Sequence, residues 1–147
     1  MSNNLNPQDS LGFLVNRAGK MMAHMAQAKL REKGLDLAVE HMILLFMLWQ
    51  KDGSNQKELV GSILKDKSTI TRGLAVLEKK NIIVRIPDET DKRNKRIFLT
   101  HHGKSLKEEI VPLMKEINRL AAKGISKKDF ETCKYVLNQI YENLENT

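Results

Sequence analysis

The sequence predicts a mainly α-helical fold that carries one small β-hairpin, an α+β arrangement. Apolar residues recur at helical spacing before residue 34 and after residue 104, two short segments between them each begin with a helix-capping residue, and two β-branched stretches flank a charged loop. At 147 residues the chain has the length of one ordinary domain. We therefore expect a single domain over residues 1–147.

Two helices are predicted before residue 51. The first is amphipathic and ends near Gly34, with an apolar stripe of Leu11, Leu14, Ala18, Met21, Met25 and Ala28. Asp36 is predicted to be the N-cap of the second, over residues 37–50. Because that segment is apolar on nearly every side, we expect it at the centre of the fold.

Two short helices joined by a tight turn follow. Asn55 is predicted to cap the first, while Glu58 reaches back to the amide of the cap residue. After a turn at Leu64, Asp66 is predicted to cap a helix that runs to about Lys80. Two short helices in this order form a helix-turn-helix.

A β-hairpin with a long tip is predicted next. Residues 82–86 and 96–100 are two stretches that contain β-branched residues, and they flank the polar, charged loop 87–95. Asn81 stands directly before the first strand, and asparagine tolerates the left-handed conformation in which a helix ends.

The last third of the chain returns to helix. Its apolar residues alternate steps of four and three and form two stripes, one of Leu106, Ile110, Leu113, Ile117 and Leu120 and, after Gly124, one of Phe130, Cys133, Leu137, Ile140 and Leu144. Pro112 is predicted to kink the first of these helices. Together with the first helix, these stripes exceed what one small domain buries, so we expect a homodimer formed through residues 9–34 and 104–145.

The net charge of +7 is concentrated in forty residues. Residues 65–104 carry 11 basic and 5 acidic residues, whereas residues 1–64 carry 7 and 6 and residues 105–147 carry 7 and 7. Such a segment favours a nucleic-acid partner. A solvated lysine-rich surface is the alternative, as is a basic helical module that binds an acidic protein.

The outer face of the predicted second short helix has the residue types that read DNA. On a helical wheel Ile70, Leu74 and Leu77 share the inner face, and Arg72 lies opposite. Short hydroxyls and an arginine near a helix N-terminus suit a major groove, although an ordinary solvated face has a similar composition. In the hairpin loop, Arg93 lies near the tip and is suited to a minor groove. The predicted DNA-binding residues are Gln56, Lys67, Ser68, Thr69, Thr71, Arg72, Asp91, Arg93 and Lys95.

Other classes of protein have little support in the sequence. The longest apolar run, residues 42–49, is far shorter than the roughly 20 residues of a membrane span. No signal-peptide pattern precedes Leu11, and the single cysteine cannot form an intrachain disulfide, so a cytoplasmic location is expected. No enzyme motif and no closely spaced set of metal ligands are present. We therefore predict no enzyme activity, metal or cofactor.

Four pieces of the sequence together resemble the MarR (multiple antibiotic resistance regulator) family of bacterial repressors. They are DKSTITR at 66–72, LEKKNII at 77–83, Arg85-x-x-Asp88-x-x-Asp91-x-Arg93 and Leu99-Thr100-x-x-Gly103. The resemblance implies a homodimer with intertwined terminal helices, whose winged helix-turn-helix lobes, residues 37–103, bind successive major grooves. Asp91 and Arg93 match the wing pair of the family, whereas Leu64 and Asn81 stand where glycine is usual.

The same resemblance implies a repressor that binds a pseudo-palindromic operator and is released by a small aromatic or phenolic effector. The candidate pocket residues are Met21, His24, Met25, Met42 and Phe46, with core filling as the alternative for each methionine. Regulation by oxidation of Cys133 is a further alternative. The position of Cys133 in the last apolar stripe favours instead a small buried hydrophobe.

Overall fold

The computed structural model describes residues 6–62 and 66–147. Its elements are α1 Leu11–Glu32, α2 Met42–Gln50, β1 Ser54–Asn55, α3 Gln56–Ser62, α4 Lys67–Lys79, β2 Ile83–Pro87, β3 Lys95–Leu99, α5 His101–Ala121 and α6 Lys127–Glu145. Two short 3-10 turns, Pro7–Asp9 and Val39–His41, precede α1 and α2. The predicted fold class, mainly α with a small antiparallel sheet, is confirmed. The turn predicted at Leu64 lies outside the described residues.

The start of α2 differs from the prediction, because Asp36 does not cap it. Gln27 of α1 donates its Nε2 to the carbonyl of Leu37 at 2.9 Å and accepts the N–H of Val39 on Oε1 at 2.9 Å. Asp36 accepts a hydrogen bond from Lys80 Nζ at 2.7 Å instead. A side chain from another helix therefore satisfies the backbone polar groups that a local cap was expected to satisfy, and α2 begins only at Met42.

The predicted caps of the helix-turn-helix are confirmed. Asn55 Oδ1 accepts the N–H of Lys57 at 2.8 Å, and the N–H of Asn55 in turn bonds to the Glu58 carboxylate, which also pairs with Lys51 at 2.8 Å. Asp66 Oδ1 accepts the N–H of Thr69 at 2.7 Å at the start of α4. These bonds satisfy N–H groups that have no partner within their own helix.

The end of α4 is also as predicted. Asn81 has φ +59°, the left-handed conformation. Its N–H bonds to the carbonyl of Glu78 at 3.0 Å, and the N–H of Ile82 bonds to that of Leu77 at 3.0 Å. This pair of bonds is the Schellman motif, which ends the helix and turns the chain directly into β2.

The sheet has three antiparallel strands in the order β1-β3-β2. Val84 pairs with Phe98 and Arg85 with Ile97, so β2 and β3 form the predicted hairpin. Strand β1, in which Ser54 pairs with Ile97, was not predicted. Two residues offer no alternation of side chains from which a strand is recognised.

The hydrophobic core lies where α2 meets α4, α5 and the sheet. Its fully buried side chains include Leu30, Leu44, Leu45, Leu48, Leu59, Ile70, Leu74, Leu77, Ile82, Ile83, Ile97 and Leu106. At the start of α5, Gly103 is buried against the Ile82 carbonyl, with no room for a Cβ, and its own carbonyl accepts Trp49 Nε1–H at 2.9 Å. The core therefore packs α4 together with the base of the hairpin.

The terminal helices contrast with this core. In α1 only Ala26 and Leu30 are buried, and α6 has no buried residue. Leu137 is 41% exposed and Leu144 71%. Cys133 is exposed as well, so its expected burial does not occur within a single chain. No helix within the described ranges is long and apolar enough to span a membrane.

Candidate nucleic-acid interface

Helix α4 presents one face to the core and the opposite face to solvent. Ile70, Gly73, Leu74 and Leu77 are buried. The exposed residues of α4 are Lys67, Ser68, Arg72, Ala75, Val76, Glu78 and Lys79. Of the α4 residues that were predicted to contact DNA, Lys67, Ser68 and Arg72 are therefore exposed, and Thr69 and Thr71 are half-buried.

The N-terminus of α4 is organised by Asp66. One carboxylate oxygen accepts both the N–H of Thr69 and the hydroxyl of Ser68, each at 2.7 Å. The Thr69 N–H, followed by the two hydroxyls, lowers the pKa of Asp66 to about 2. The carboxylate is therefore charged at neutral pH and holds the first turn and the Ser68 side chain in place.

Two further contacts position side chains on this face. Gln56 of α3 donates Nε2 to Thr71 Oγ1 at 3.2 Å, and Thr71 donates its hydroxyl to the carbonyl of Lys67 at 2.8 Å. Arg72 Nη2 lies 3.3 Å from Thr69 Oγ1. The guanidinium of Arg72 thus lies along the exposed face of α4, near its N-terminus.

The tip of the wing, residues 88–94, is folded by its own carboxylates. Asp91 Oδ1 accepts the N–H of Arg93 at 3.1 Å. Asp88 accepts the N–H of Thr90 at 3.0 Å and its hydroxyl at 2.9 Å, and the N–H bond is the main cause that lowers the pKa of Asp88. Asp91 thus braces the backbone of Arg93, and the Arg93 side chain is exposed.

A groove of about 390 Å³ separates α3 and α4 from the hairpin. Its lining residues are Gln56, Lys57, Val60, Lys67, Thr71, Arg85, Arg93, Asn94 and Lys95. Five of these are cations and none is an acid, which makes the groove a favourable surface for phosphates. We call it the cationic groove.

The cationic groove brings together five predicted residues, Gln56, Lys67, Thr71, Arg93 and Lys95. Thr69 and Arg72 line a separate depression on the other side of α4, beside His41 of the turn before α2. Lys57, Val60, Arg85 and Asn94 were not predicted. The basic residues among them were visible in the sequence, but only the pairing of β2 with β3 and the crossing of α3 with α4 bring them to one groove.

Arg85 differs from the other cations of the groove because it is paired. Its Nη2 lies 2.9 Å from Glu78 Oε1 and its Nε 3.3 Å from Oε2. The Arg85 hydrogen bond lowers the pKa of Glu78, and the same bond raises the pKa of Arg85. This ion pair joins the last turn of α4 to strand β2.

The candidate effector residues lie at several places in the single chain. Met21 and His24 line an open groove of about 620 Å³ on α1, together with Phe13 and Arg17. Met42 belongs to the core. Phe46 is half-buried and makes an edge contact with Trp49, with ring centroids 5.2 Å apart. Met25 is half-buried on α1.

Comparison with known proteins finds transcription regulators among the relatives of this chain. The family model described as the MarR family matches residues 38–95, which include α2, α3, α4 and the hairpin up to the start of β3. YybA of Bacillus subtilis, named as an uncharacterized HTH-type transcriptional regulator, is 28% identical over 117 residues, 77% of this chain and 75% of its own.

Two Staphylococcus aureus proteins extend the comparison. The transcriptional regulator SarZ is 37% identical over 75 residues, and this segment spans 51% of each chain. The structure of MepR in complex with DNA superposes with a TM-score of 0.83 at 26% identity, covering 92% of this chain and 98% of that one. In residues 38–95 and in its overall fold, this chain is thus similar to the winged helix-turn-helix transcription regulators of the MarR family.

Proposed function

We propose that this regulator binds duplex DNA as a homodimer, with α4 in a major groove and the wing tip in the adjacent minor groove. The observation that carries the proposal is the cationic groove between α4 and the wing, lined by five basic residues and no acid. The structure of MepR, which has the same fold, contains DNA. The lobe of residues 37–103 thus makes the contact, and residues 9–34 and 104–145 join the two chains.

The dimer is supported by the terminal helices. Helix α6 carries an apolar stripe and buries none of it in the single chain, and the first half of α1 is exposed. A single lobe contacts half of a two-fold operator, so only a dimer sets the spacing of half-sites. Sedimentation at micromolar concentration should give the mass of two chains, and a monomer would contradict the proposal.

Selection of bound duplexes from a random pool tests the DNA contact. We expect a pseudo-palindrome whose half-sites lie about one helical turn, about 10 bp, apart. The dissociation constant should rise steeply with salt, because each neutralised phosphate contributes a slope of about 0.9 in log K against log salt. Equal affinity for every duplex would contradict sequence-specific recognition, and would favour a general basic surface.

Two arginines should affect the selected sequence differently. Arg72→Ala is expected to weaken operator binding by about 1–3 kcal/mol and to relax preference at one base pair, since an arginine reads guanine through two hydrogen bonds. Arg93→Ala should weaken binding mainly on A·T-rich flanks, where the minor groove is narrow. Repeating the selection with each variant measures both effects. Equal losses on all sequences would show that Arg72 contacts phosphate alone.

We propose further that DNA binding represses transcription and that an effector releases it. The support is the groove beside Met21 and His24, which lies on the part of α1 that we assign to the dimer contact, so a small aromatic or phenolic ligand would bind there at the junction of the two chains. Challenge of the operator complex with small phenols tests this, and Met21→Ala should lower the response. Peroxide should leave binding unchanged. A loss of binding that Cys133→Ser abolishes would favour the redox alternative.

A further inference from the structure

The Glu78–Arg85 ion pair lies between the two parts of the lobe that the proposed function assigns to DNA. Glu78 lies near the end of α4 and Arg85 in the middle of β2. Both guanidinium contacts reach the same carboxylate, at 2.9 and 3.3 Å. The arginine side chain is 18% exposed and the glutamate side chain 41%. A two-point contact of this kind fixes the direction of the guanidinium as well as its distance.

Arg85 is the exception among the cations of the cationic groove. Within residues 6–62 and 66–147, no ion pair within 4.0 Å involves Lys57, Lys67, Arg93 or Lys95. Lys95 contributes only a weaker, longer-range attraction to Glu78. Four cations of the groove are thus available to a polyanion, while the charge of Arg85 is already balanced.

We propose that Glu78 is a specificity-determining positioning residue, which holds Arg85 against α4 and β2 and withholds it from phosphates. This inference rests on the proposed function. Phosphate contacts strengthen binding to every sequence and carry no sequence information. A released Arg85 would add such a contact. On a non-operator duplex the protein can bind at any position along the DNA that allows the Arg85–phosphate contact. On the operator, the base contacts of α4 fix the position of the protein.

The pair also joins the recognition helix to the wing. Loss of the pair removes a restraint on the angle between α4 and the wing. Both elements must contact the operator at the same time, so this angle matters for operator binding. Both consequences act in one direction: binding to non-operator DNA becomes tighter, and the advantage of the operator becomes smaller.

The test uses the full-length chain and two duplexes, the selected operator and a shuffled sequence of equal length. Dissociation constants of wild type and Glu78→Gln are measured by anisotropy from 50 to 200 mM salt. For the variant we expect a slope on shuffled DNA steeper by about 0.9 per bound chain, and a ratio of operator to shuffled affinity at 50 mM salt lowered by roughly threefold.

Two controls separate this effect from a general change of charge. Glu108→Gln removes a negative charge from the exposed side of α5, outside the lobe, and should leave the slope and the ratio nearly unchanged. Glu78→Gln in an Arg85→Gln background should have no effect, because no arginine is left to release. Melting of each variant, followed by circular dichroism, identifies any that has lost its fold, and Glu78→Ala then serves as a second substitution at the same position.

Several results would overturn the inference. An unchanged ratio in Glu78→Gln would do so, as would equal effects of Glu78→Gln and Glu108→Gln, or an effect that persists without Arg85. A wild-type chain that binds neither duplex would overturn the proposed function first. A wild type that prefers its operator while Glu78→Gln retains that preference would overturn this inference alone.

Discussion

Helices α4 and α6 are both amphipathic, yet they meet different surroundings. Four residues of α4, Ile70, Gly73, Leu74 and Leu77, are buried by α2, α3 and the sheet. None of the residues of α6 is buried, although its apolar stripe is as regular in sequence. Periodicity indicates which face of a helix is apolar, but it does not indicate what covers that face. The apolar face of α4 is covered by its own chain, whereas the apolar face of α6 is not.

The two regions should differ most in the stability that is lost when a residue in the core of the lobe is substituted. Leu45→Ala should lower the free energy of unfolding by about 2–5 kcal/mol, because it leaves a cavity among fully buried side chains. Urea unfolding followed by Trp49 fluorescence measures the loss. Tyr135→Ala, on the exposed part of α6, is the control and should change stability by about 0.5 kcal/mol or less. Similar losses for the two variants would remove the distinction between the regions.

A second effect depends on the glycines of the two regions. Gly103→Ala should destabilise the fold by about 1–3 kcal/mol, because its methyl group meets the Ile82 carbonyl and the Leu99 side chain. Gly19→Ala in α1 meets nothing within 4 Å in the single chain, and should stabilise the helix by about 0.5–1 kcal/mol. Thermal unfolding measures both. A loss at Gly19 would place atoms of another chain against α1.

The local signals in the sequence predicted most of the lobe. Asn55, Asp66 and Asn81 were predicted as helix ends, and each makes its bonds to backbone within three residues. The prediction for Asp36 was wrong because Gln27, ten residues before Leu37, supplies the competing hydrogen bonds. Short-range preferences therefore fail where a distant side chain satisfies the same backbone groups.

Local features of the sequence also predicted part of the candidate DNA-binding surface. Lys67 and Arg93 were predicted from residue type and position on an element alone, and both line the cationic groove. Arg85 was missed as a groove residue because its role depends on the register of β2 with β3 and on Glu78, seven residues earlier. Contacts of this kind depend on tertiary packing, which cannot be predicted from a local sequence pattern.

A third prediction applies to α6 itself. Leu137→Ala should raise the dissociation constant of the proposed dimer roughly tenfold, about 1.4 kcal/mol, because its exposed side chain lies on the apolar stripe. Sedimentation equilibrium measures the change. Thr132→Ala, an exposed residue off the apolar stripe of the same helix, is the matched control and should leave association unchanged. If both variants associate like wild type, then α6 is covered by something other than a second copy.

The smallest effect concerns the cap of α4 and appears only in acid. The folded pKa of Asp66 is about 2, below the usual value of 3.8, because the Thr69 N–H and the Ser68 and Thr69 hydroxyls stabilise the carboxylate. A carboxyl with a lowered folded pKa stabilises the fold above its unfolded pKa, and this contribution is lost as the pH falls from about 3.8 through about 2. Asp66→Asn keeps an acceptor oxygen but does not titrate.

The urea midpoints of wild type and Asp66→Asn should therefore differ most at neutral pH and converge between pH 4 and pH 2. Other carboxylates with lowered pKa values, such as Glu78 and Asp88, titrate in both proteins, so the difference between the two midpoints isolates Asp66. A difference that stays constant over this range would mean that the cap acts through hydrogen-bond geometry alone. The charge of Asp66 would then have no part in fixing the face of α4 that we propose reads DNA.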